Sequence, residues 1–282
     1  MKSKAVYWFL LPAFLMLIFF AFFPALQVFY YSFLDYNVFN GNTFVGLQNY
    51  SKLFSDPNFW DAFKNSLIFL IVTPVLMILS LMLALMIREK SGASSFFRSL
   101  FFLPVVTPIV IAGIIWRWIF AEDTGLMNYL LSLASIPQVP WLTNYPVNLG
   151  SIMILTIWRG FGYYMMIFLA GLAIIPKELE EASRLDGANK LQQIHHIIIP
   201  ELKPTLLLIF VISSTNAIKI FTELYIMIPG TPASNKTLVY YLYKHAFERF
   251  DFGFGSAAGV IIFILTLGFS IINVKLLDKE NV

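Results

Sequence analysis

YWFLLPAFLMLIFFAFFPALQVFYYSF, residues 7–33, is an apolar run without a charged side chain. A membrane-spanning helix needs roughly 20 apolar residues, because its backbone groups must bond to one another across a hydrocarbon core about 30 Å thick. The run satisfies that requirement and predicts a spanning helix. The preceding Met1-Lys2-Ser3-Lys4 also resembles the start of a signal peptide. Because the run is long and lacks a small-residue cleavage site, we expect a retained first span.

Similar stretches follow the first one along the chain. They occupy residues 66–87, 99–120, 149–175, 204–228 and 256–274. Together with 7–33 they predict an all-α integral membrane protein with about six transmembrane helices, organised as a single domain over residues 1–282. Proline interrupts several of these stretches, at positions 12, 24, 74, 104 and 108. Because proline removes a backbone hydrogen bond, we expect kinks there.

The composition supports a membrane protein and excludes other classes. Hydrophobic residues make up 59% of the chain, charged residues 12%, and the mean hydropathy is +0.76, which lies outside the range of soluble proteins. The chain has no cysteine and three histidines, which argues against disulfides and metal centres. The net charge of +3 is spread over the loops, so we expect no nucleic-acid partner.

The basic residues predict the orientation of the spans. One side would hold Lys2, Lys4, Arg88, Lys90, Arg98, Lys177, Arg184, Lys190, Lys203, Lys275 and Lys279. The other would hold only Lys52, Lys64, Lys236, Lys244 and Arg249. Positive charge accumulates on the cytoplasmic side, so both termini and residues 176–203 are expected there. Residues 34–65, 121–148 and 229–255 would then face outward and contact whatever delivers a ligand.

The cytoplasmic segment 176–203 contains a helix-turn-helix pattern. Pro176 suits the first turn of a helix, and the acidic residues that follow favour its positive N-terminal end. Gly187 can adopt the left-handed conformation that ends a helix. A second apolar stripe then continues to Pro200. The pattern predicts two short helices that project from the membrane.

This segment resembles the EAA loop of binding-protein-dependent ABC transporter permeases. The family pattern is Glu-Ala-Ala, three residues, Gly, nine residues, Ile-x-Leu-Pro. This chain has Glu181-Ala182-Ser183, then Gly187, then Ile197-Ile198-Ile199-Pro200, with Ser183 and Ile199 as departures. The resemblance implies that this loop docks on an ATPase subunit, and that the coupling residues are Glu181, Ala182, Ser183, Asp186, Gly187, Ile197 and Pro200. The alternative is an ordinary amphipathic loop.

The resemblance extends over nearly the whole chain and is closest to the sugar-importer branch, with its maltose-type and glycerol-phosphate-type permeases. Matching stretches include Trp158-Arg159-Gly160-Phe161-Gly162, whereas Thr231 departs from the usual Gly-Gly-Pro turn. The resemblance implies the fold of a type I ABC importer permease in a bacterial or archaeal inner membrane. It also implies three kinds of partner: a second homologous permease or second copy, two ATPase subunits, and an extracytoplasmic substrate-binding protein.

Polar side chains within the predicted spans are candidates for a substrate pathway. Asn216, Lys219 and Glu223 share one face of a helix, where Lys219 and Glu223 would neutralise each other. Arg159 lies among glycines and aromatic residues in the preceding span. With Trp158 and Tyr163 these residues could bind a sugar through ring stacking and hydroxyl contacts, which favours an oligosaccharide. The alternative is that the aromatic residues only pack between helices.

Catalysis by this chain is not expected. The phosphate-loop pattern Gly-x-x-x-x-Gly-Lys-Ser/Thr is absent from the sequence, so ATP and Mg²⁺ would bind a separate ATPase. A self-sufficient secondary transporter is an alternative, although internal symmetry is not evident. An ABC permease for a solute other than a sugar is another. A membrane enzyme would need clustered acids or histidines within the spans, and Glu223 is their only acid.

Overall fold

The structure is a computed structural model that describes residues 5–37, 41–89, 91–230, 232 and 235–278. Within these residues, five helical segments are long and apolar enough to cross a membrane, and a bent helix pair provides a sixth crossing if it is counted as one span. The predicted all-α membrane fold is therefore confirmed. Five residues that enter the predicted charge distribution or the family resemblance lie outside the described residues: Lys2, Lys4, Lys90, Thr231 and Lys279.

The helices and strands follow one another in a simple order. The α-helices are α1 (Ala5–Leu17), α2 (Phe23–Tyr31), α3 (Gln48–Ser55), α4 (Pro57–Ile68), α5 (Val72–Met86), α6 (Gly92–Val106), α7 (Ile109–Ile119), α8 (Leu126–Leu133), α9 (Val147–Leu172), α10 (Lys177–Leu185), α11 (Lys190–Gln193), α12 (Ile199–Glu201), α13 (Lys203–Ile218), α14 (Thr222–Met227), α15 (Leu238–Tyr243) and α16 (Phe252–Asp278). Segments of π-helix cover Ile18–Phe22, Ile194–Ile198 and Lys244–Glu248, and a 3₁₀ turn covers Phe69–Ile71. Strands β1 (Leu34–Asn37) and β2 (Gly41–Phe44) form an antiparallel pair.

The predicted third span, residues 99–120, is not one straight helix. Helices α6 and α7 meet at an angle of 93°. Thr107 and Pro108 separate them, and both have extended ψ angles of 126° and 130°. Proline disfavours the helical conformation of the residue before it, so the chain turns a corner instead of forming a mild kink.

The predicted fifth span, 204–228, is also interrupted. Helix α13 ends at Ile218 and α14 begins at Thr222. The break leaves backbone carbonyls that must find other partners. The Thr237 hydroxyl donates to the Ile220 carbonyl at 2.7 Å, so an outer loop satisfies part of the break. The other predicted spans agree more closely with the structure, which has them at Tyr7–Tyr31, Pro57–Met86, Val147–Leu172 and Phe252–Asn273.

Helix α9 lies at the centre of the larger core. It packs against α5 and α6, and its Leu155, Met165 and Phe168 are fully buried. Between membrane helices, association depends on close packing of small residues instead of on expulsion of water. At Gly162 a Cβ atom would lie 2.0 Å from the Phe101 carbonyl oxygen, so the backbones of α9 and α6 touch at this point.

Contacts between the loops sort them onto two sides. Asn65 donates to the Lys236 carbonyl at 2.9 Å and accepts from the Tyr145 hydroxyl at 3.0 Å, which joins the predicted outer segments. At the other end, Arg88 contacts Glu180 of the predicted cytoplasmic segment at 2.5 Å. The structure thus groups the loops as the charge distribution predicts.

Candidate functional site

The predicted helix-turn-helix is present and its turn has a clear chemical basis. Gly187 adopts a φ of +85°, the left-handed conformation that ends α10. The Ala188 amide donates to the Ser183 carbonyl at 2.9 Å and closes the turn. Asn189 then caps α11, since its side chain accepts from the Gln192 amide while the Gln192 side chain accepts from the Asn189 amide. Residues 177–201 therefore form a defined hairpin, which we call the coupling hairpin.

The tip of the coupling hairpin presents the predicted coupling residues to solvent. Glu181, Ala182 and Asp186 are exposed, while Ser183 is half-buried. Between the two arms of the hairpin, α10 and the segment that begins with α11, lies a solvent-accessible cleft of about 340 Å³. Its lining includes Asp186, Gly187 and Ile197. Such a surface can receive a protein partner. Pro200 is exposed in α12, next to the start of the fifth span.

Hydrogen bonds hold the two arms of the hairpin together. The Ser183 hydroxyl donates to the Glu180 carbonyl at 2.8 Å and accepts from Gln193 Nε2 at 3.0 Å. Gln193 is buried, so its amide requires such a partner. Serine at the position where the family pattern has alanine thus gives this hairpin an additional internal bond.

In the fourth and fifth spans, Glu223 pairs with a different partner from the predicted one. Glu223 Oε1 lies 4.0 Å from Arg159 Nη1 of α9. Lys219 forms no ion pair within the described residues. The prediction that Lys219 and Glu223 share a helix face is wrong, because the break after Ile218 separates them. The Arg159–Glu223 pair joins two spans that sequence spacing could not connect.

The remaining pathway candidates differ in solvent exposure: some pack against the core and others are exposed. The ring of Trp158 lies 5.5 Å from that of Trp116 and packs against the core, as the alternative reading of the aromatic residues predicts. Tyr163 is 42% exposed. Asn216 is exposed on α13, where its side chain hydrogen-bonds with Tyr164, and Lys219 is exposed just beyond the end of that helix. The exposed polar side chains among these candidates are therefore those of Tyr163, Asn216 and Lys219, which we call together the open polar surface.

An aromatic cluster beside the break in the fifth span is absent from the sequence prediction. The ring of Phe221 lies 5.5 Å from that of Tyr225 and 4.9 Å from that of Tyr243, between centroids. The Tyr225 and Tyr243 hydroxyls are hydrogen-bonded to each other. Phe221 directly precedes α14, Tyr225 lies in α14 and Tyr243 is the last residue of α15, so only the fold brings the three rings together.

Lys236 stabilises the outer end of the broken span. Although we counted it as an outer loop cation, it is fully buried. Its Nζ donates to the Ile228 carbonyl just after α14 and lies 4.5 Å from the centroid of the Tyr240 ring. Burial lowers the pKa of the Lys236 ammonium to about 7. Lys236 and Thr237 thus bind backbone carbonyls on both sides of α14, at Ile228 and Ile220, and hold this helix in place from the outer loop.

Comparisons with known proteins agree with the architecture. Residues 76–279 match the family described as binding-protein-dependent transport system inner membrane component. The arabinooligosaccharides transport system permease protein AraP of Bacillus subtilis (strain 168) is 36% identical over 281 residues, which cover 98% of this chain and 89% of the relative. The "Probable starch degradation products transport system permease protein AmyD" of Thermoanaerobacterium thermosulfurigenes is 31% identical over 284 residues, with coverage of 100% and 97%.

A solved structure shows the same fold. It is a crystal structure of the bacterial alginate ABC transporter in complex with alginate pentasaccharide-bound periplasmic protein. One of its chains matches with a TM-score of 0.82 at 23% identity, covering 95% of this chain and 92% of that chain. At this identity the similarity concerns the arrangement of helices alone.

Proposed function

Because the chain belongs to the family of binding-protein-dependent transport system inner membrane components, we propose that it is the permease subunit of an ATP-driven oligosaccharide importer. The observation that carries this proposal is the coupling hairpin, whose exposed tip suits an ATPase partner. The chain itself has no phosphate-loop sequence. We therefore assign ATP and Mg²⁺ to two separate ATPase subunits and no cofactor to this chain.

The carbohydrate substrate is supported by the relatives and by the open polar surface. AraP is a permease for arabinooligosaccharides, and the alginate transporter was crystallised with a pentasaccharide-bound periplasmic protein. In this chain, the phenol of Tyr163 and the polar groups of Asn216 and Lys219 are accessible in the middle spans. Rings and hydrogen-bonding groups are the combination that binds sugars. An extracytoplasmic binding protein would deliver the sugar to the outer loops.

A second permease subunit is supported by the first span. The most apolar window of Tyr7–Tyr31 is 0% buried within this chain, whereas the corresponding windows of Pro57–Met86, Val147–Leu172, Lys203–Met227 and Phe252–Asn273 are each 33% buried. Asn216 of α13 is likewise exposed within this chain. A homologous subunit or second copy would enclose the pathway. The charge distribution supports an orientation with both termini in the cytoplasm.

The experiment is uptake by the assembled transporter in proteoliposomes. Asn216→Ala and Lys219→Ala each remove a hydrogen-bonding group from the open polar surface, worth about 1 kcal/mol, so uptake of an oligosaccharide should fall by roughly fivefold in each variant. Assembly and basal ATP hydrolysis should remain normal. Ile154→Ala, at an exposed apolar position of α9, is the control and should transport normally.

Two outcomes would contradict the proposal. Normal uptake by both variants over the whole range of oligosaccharide concentrations would remove α13 from the pathway. ATP-independent, gradient-driven uptake by the purified chain alone would indicate a secondary transporter instead.

A further inference from the structure

A charged contact joins the coupling hairpin to the second span. Arg88 Nη2, just beyond the end of α5, donates to Glu180 Oε1 of α10 at 2.5 Å. The two side chains are 27% and 11% exposed, so the pair is largely shielded from water. Glu180 precedes the Glu-Ala-Ser pattern and was not among the predicted coupling residues. It is also the one buried residue of α10, all of whose residues are described.

The contact continues on both sides through hydrogen bonds. On the span side, Arg98 Nη2 of α6 donates to the Ile87 carbonyl at 2.9 Å and to the Arg88 carbonyl at 3.3 Å. On the hairpin side, the Glu180 carbonyl accepts from Ser183, whose hydroxyl in turn accepts from Gln193 of α11. The ends of α5 and α6 and both arms of the hairpin are therefore connected.

The packing of α5 gives this connection a mechanical consequence. Helix α5 contacts α9 and α13, the two spans that carry the open polar surface. A charged hydrogen bond is directional, so it resists displacement both toward and away from the partner. A movement imposed on the tip of the hairpin would thus reach α5 through Arg88 in addition to the covalent connections to α9 and α13.

We propose that Arg88 and Glu180 are positioning residues that transmit displacement of the coupling hairpin to the second span and so to the pathway. This inference rests on the proposed function, because it assumes that a partner moves the hairpin. It goes beyond that function by assigning the transmission to an ion pair outside the family pattern.

The first test measures oligosaccharide transported per ATP hydrolysed by the assembled transporter in proteoliposomes. Glu180→Gln should lower this ratio by about fivefold or more while ATP hydrolysis continues, because the amide cannot replace the ionic contact. The charge-exchanged double variant Arg88→Glu/Glu180→Arg should recover most of the loss. Glu178→Gln, an exposed carboxylate of the same helix, is the matched control and should keep the wild-type ratio. A normal ratio in Glu180→Gln, or no recovery in the double variant, would overturn the assignment.

The second test does not depend on transport. Hydrogen–deuterium exchange of the purified chain should show faster exchange across residues 177–185 in Glu180→Gln and near-normal exchange in the double variant. Unchanged exchange in Glu180→Gln would overturn the mechanical link even if transport proceeds. If the wild-type complex shows no ATP-driven uptake, the proposed function fails, and exchange still decides whether the pair restrains the hairpin.

Discussion

Substitution of Gly187 tests whether the backbone of the hairpin turn matters for coupling. With a φ of +85°, any residue that has a Cβ atom is strained here, at a cost of about 1–2 kcal/mol. An added Cβ would meet nothing within 4 Å, so the backbone alone causes the penalty. Alanine should therefore reduce the population of correctly formed turn, relative to misformed turn, by roughly five- to thirtyfold. Valine should cost more because its branched Cβ is less compatible with this conformation.

The assay is substrate-stimulated ATP hydrolysis and uptake by the assembled transporter carrying each variant. Gly187→Asn is the matched control and should be tolerated best, since asparagine visits the left-handed region more readily than other side chains do. We expect coupling to decrease in the order Gly, Asn, Ala, Val while membrane insertion stays normal. Equal activity of Gly187→Val and wild type would refute the reasoning, as would an equal loss in all three variants.

Two further predictions concern stability in detergent. Gly162→Ala should lower the unfolding temperature, because the added Cβ would collide with the Phe101 carbonyl oxygen and overpacking costs about 1–3 kcal/mol. Gly150→Ala is the control, since its Cβ would meet nothing within 4 Å and should leave the unfolding temperature unchanged. Equal unfolding temperatures of the two variants would contradict the close approach of α9 and α6. Burial lowers the pKa of His245 from 6.5 to about 4, and the positive charge of the nearby Arg249 contributes in the same direction. Between these two pH values the unfolded chain binds more protons than the folded chain, so the free energy of unfolding should decrease as the pH drops from about 6.5 to 4. His245→Gln should reduce that slope in melting curves, and an identical slope would exclude this origin.

The sequence was most informative where local physics determines the structure. Long, predominantly apolar runs predicted the spans at 149–175 and 256–274 closely, because a bilayer imposes both length and apolarity. The coupling hairpin was predictable for a similar reason. Gly187 and the preceding acidic turn are local signals, and the structure has the expected turn at that glycine.

The sequence was less informative where tertiary contacts decide. Pro108 could have produced a kink or a corner, and periodicity does not distinguish the two; the structure has a 93° corner. Arg159 and Glu223 are neighbours in space but belong to different spans, so spacing instead suggested Lys219 as the partner. The Arg88–Glu180 contact and the burial of Lys236 likewise depend on segments that are distant in sequence.

Substrate-stimulated ATP hydrolysis by the complete complex tests the central claim most directly. The permease, its partner subunit, the ATPase and an extracytoplasmic binding protein would be reconstituted, and hydrolysis measured with and without an oligosaccharide-loaded binding protein. We predict strong stimulation by the loaded binding protein, accumulation of the sugar inside vesicles, and no hydrolysis by this chain alone. Hydrolysis that is indifferent to every loaded binding protein tested, with no sugar accumulated, would contradict the account.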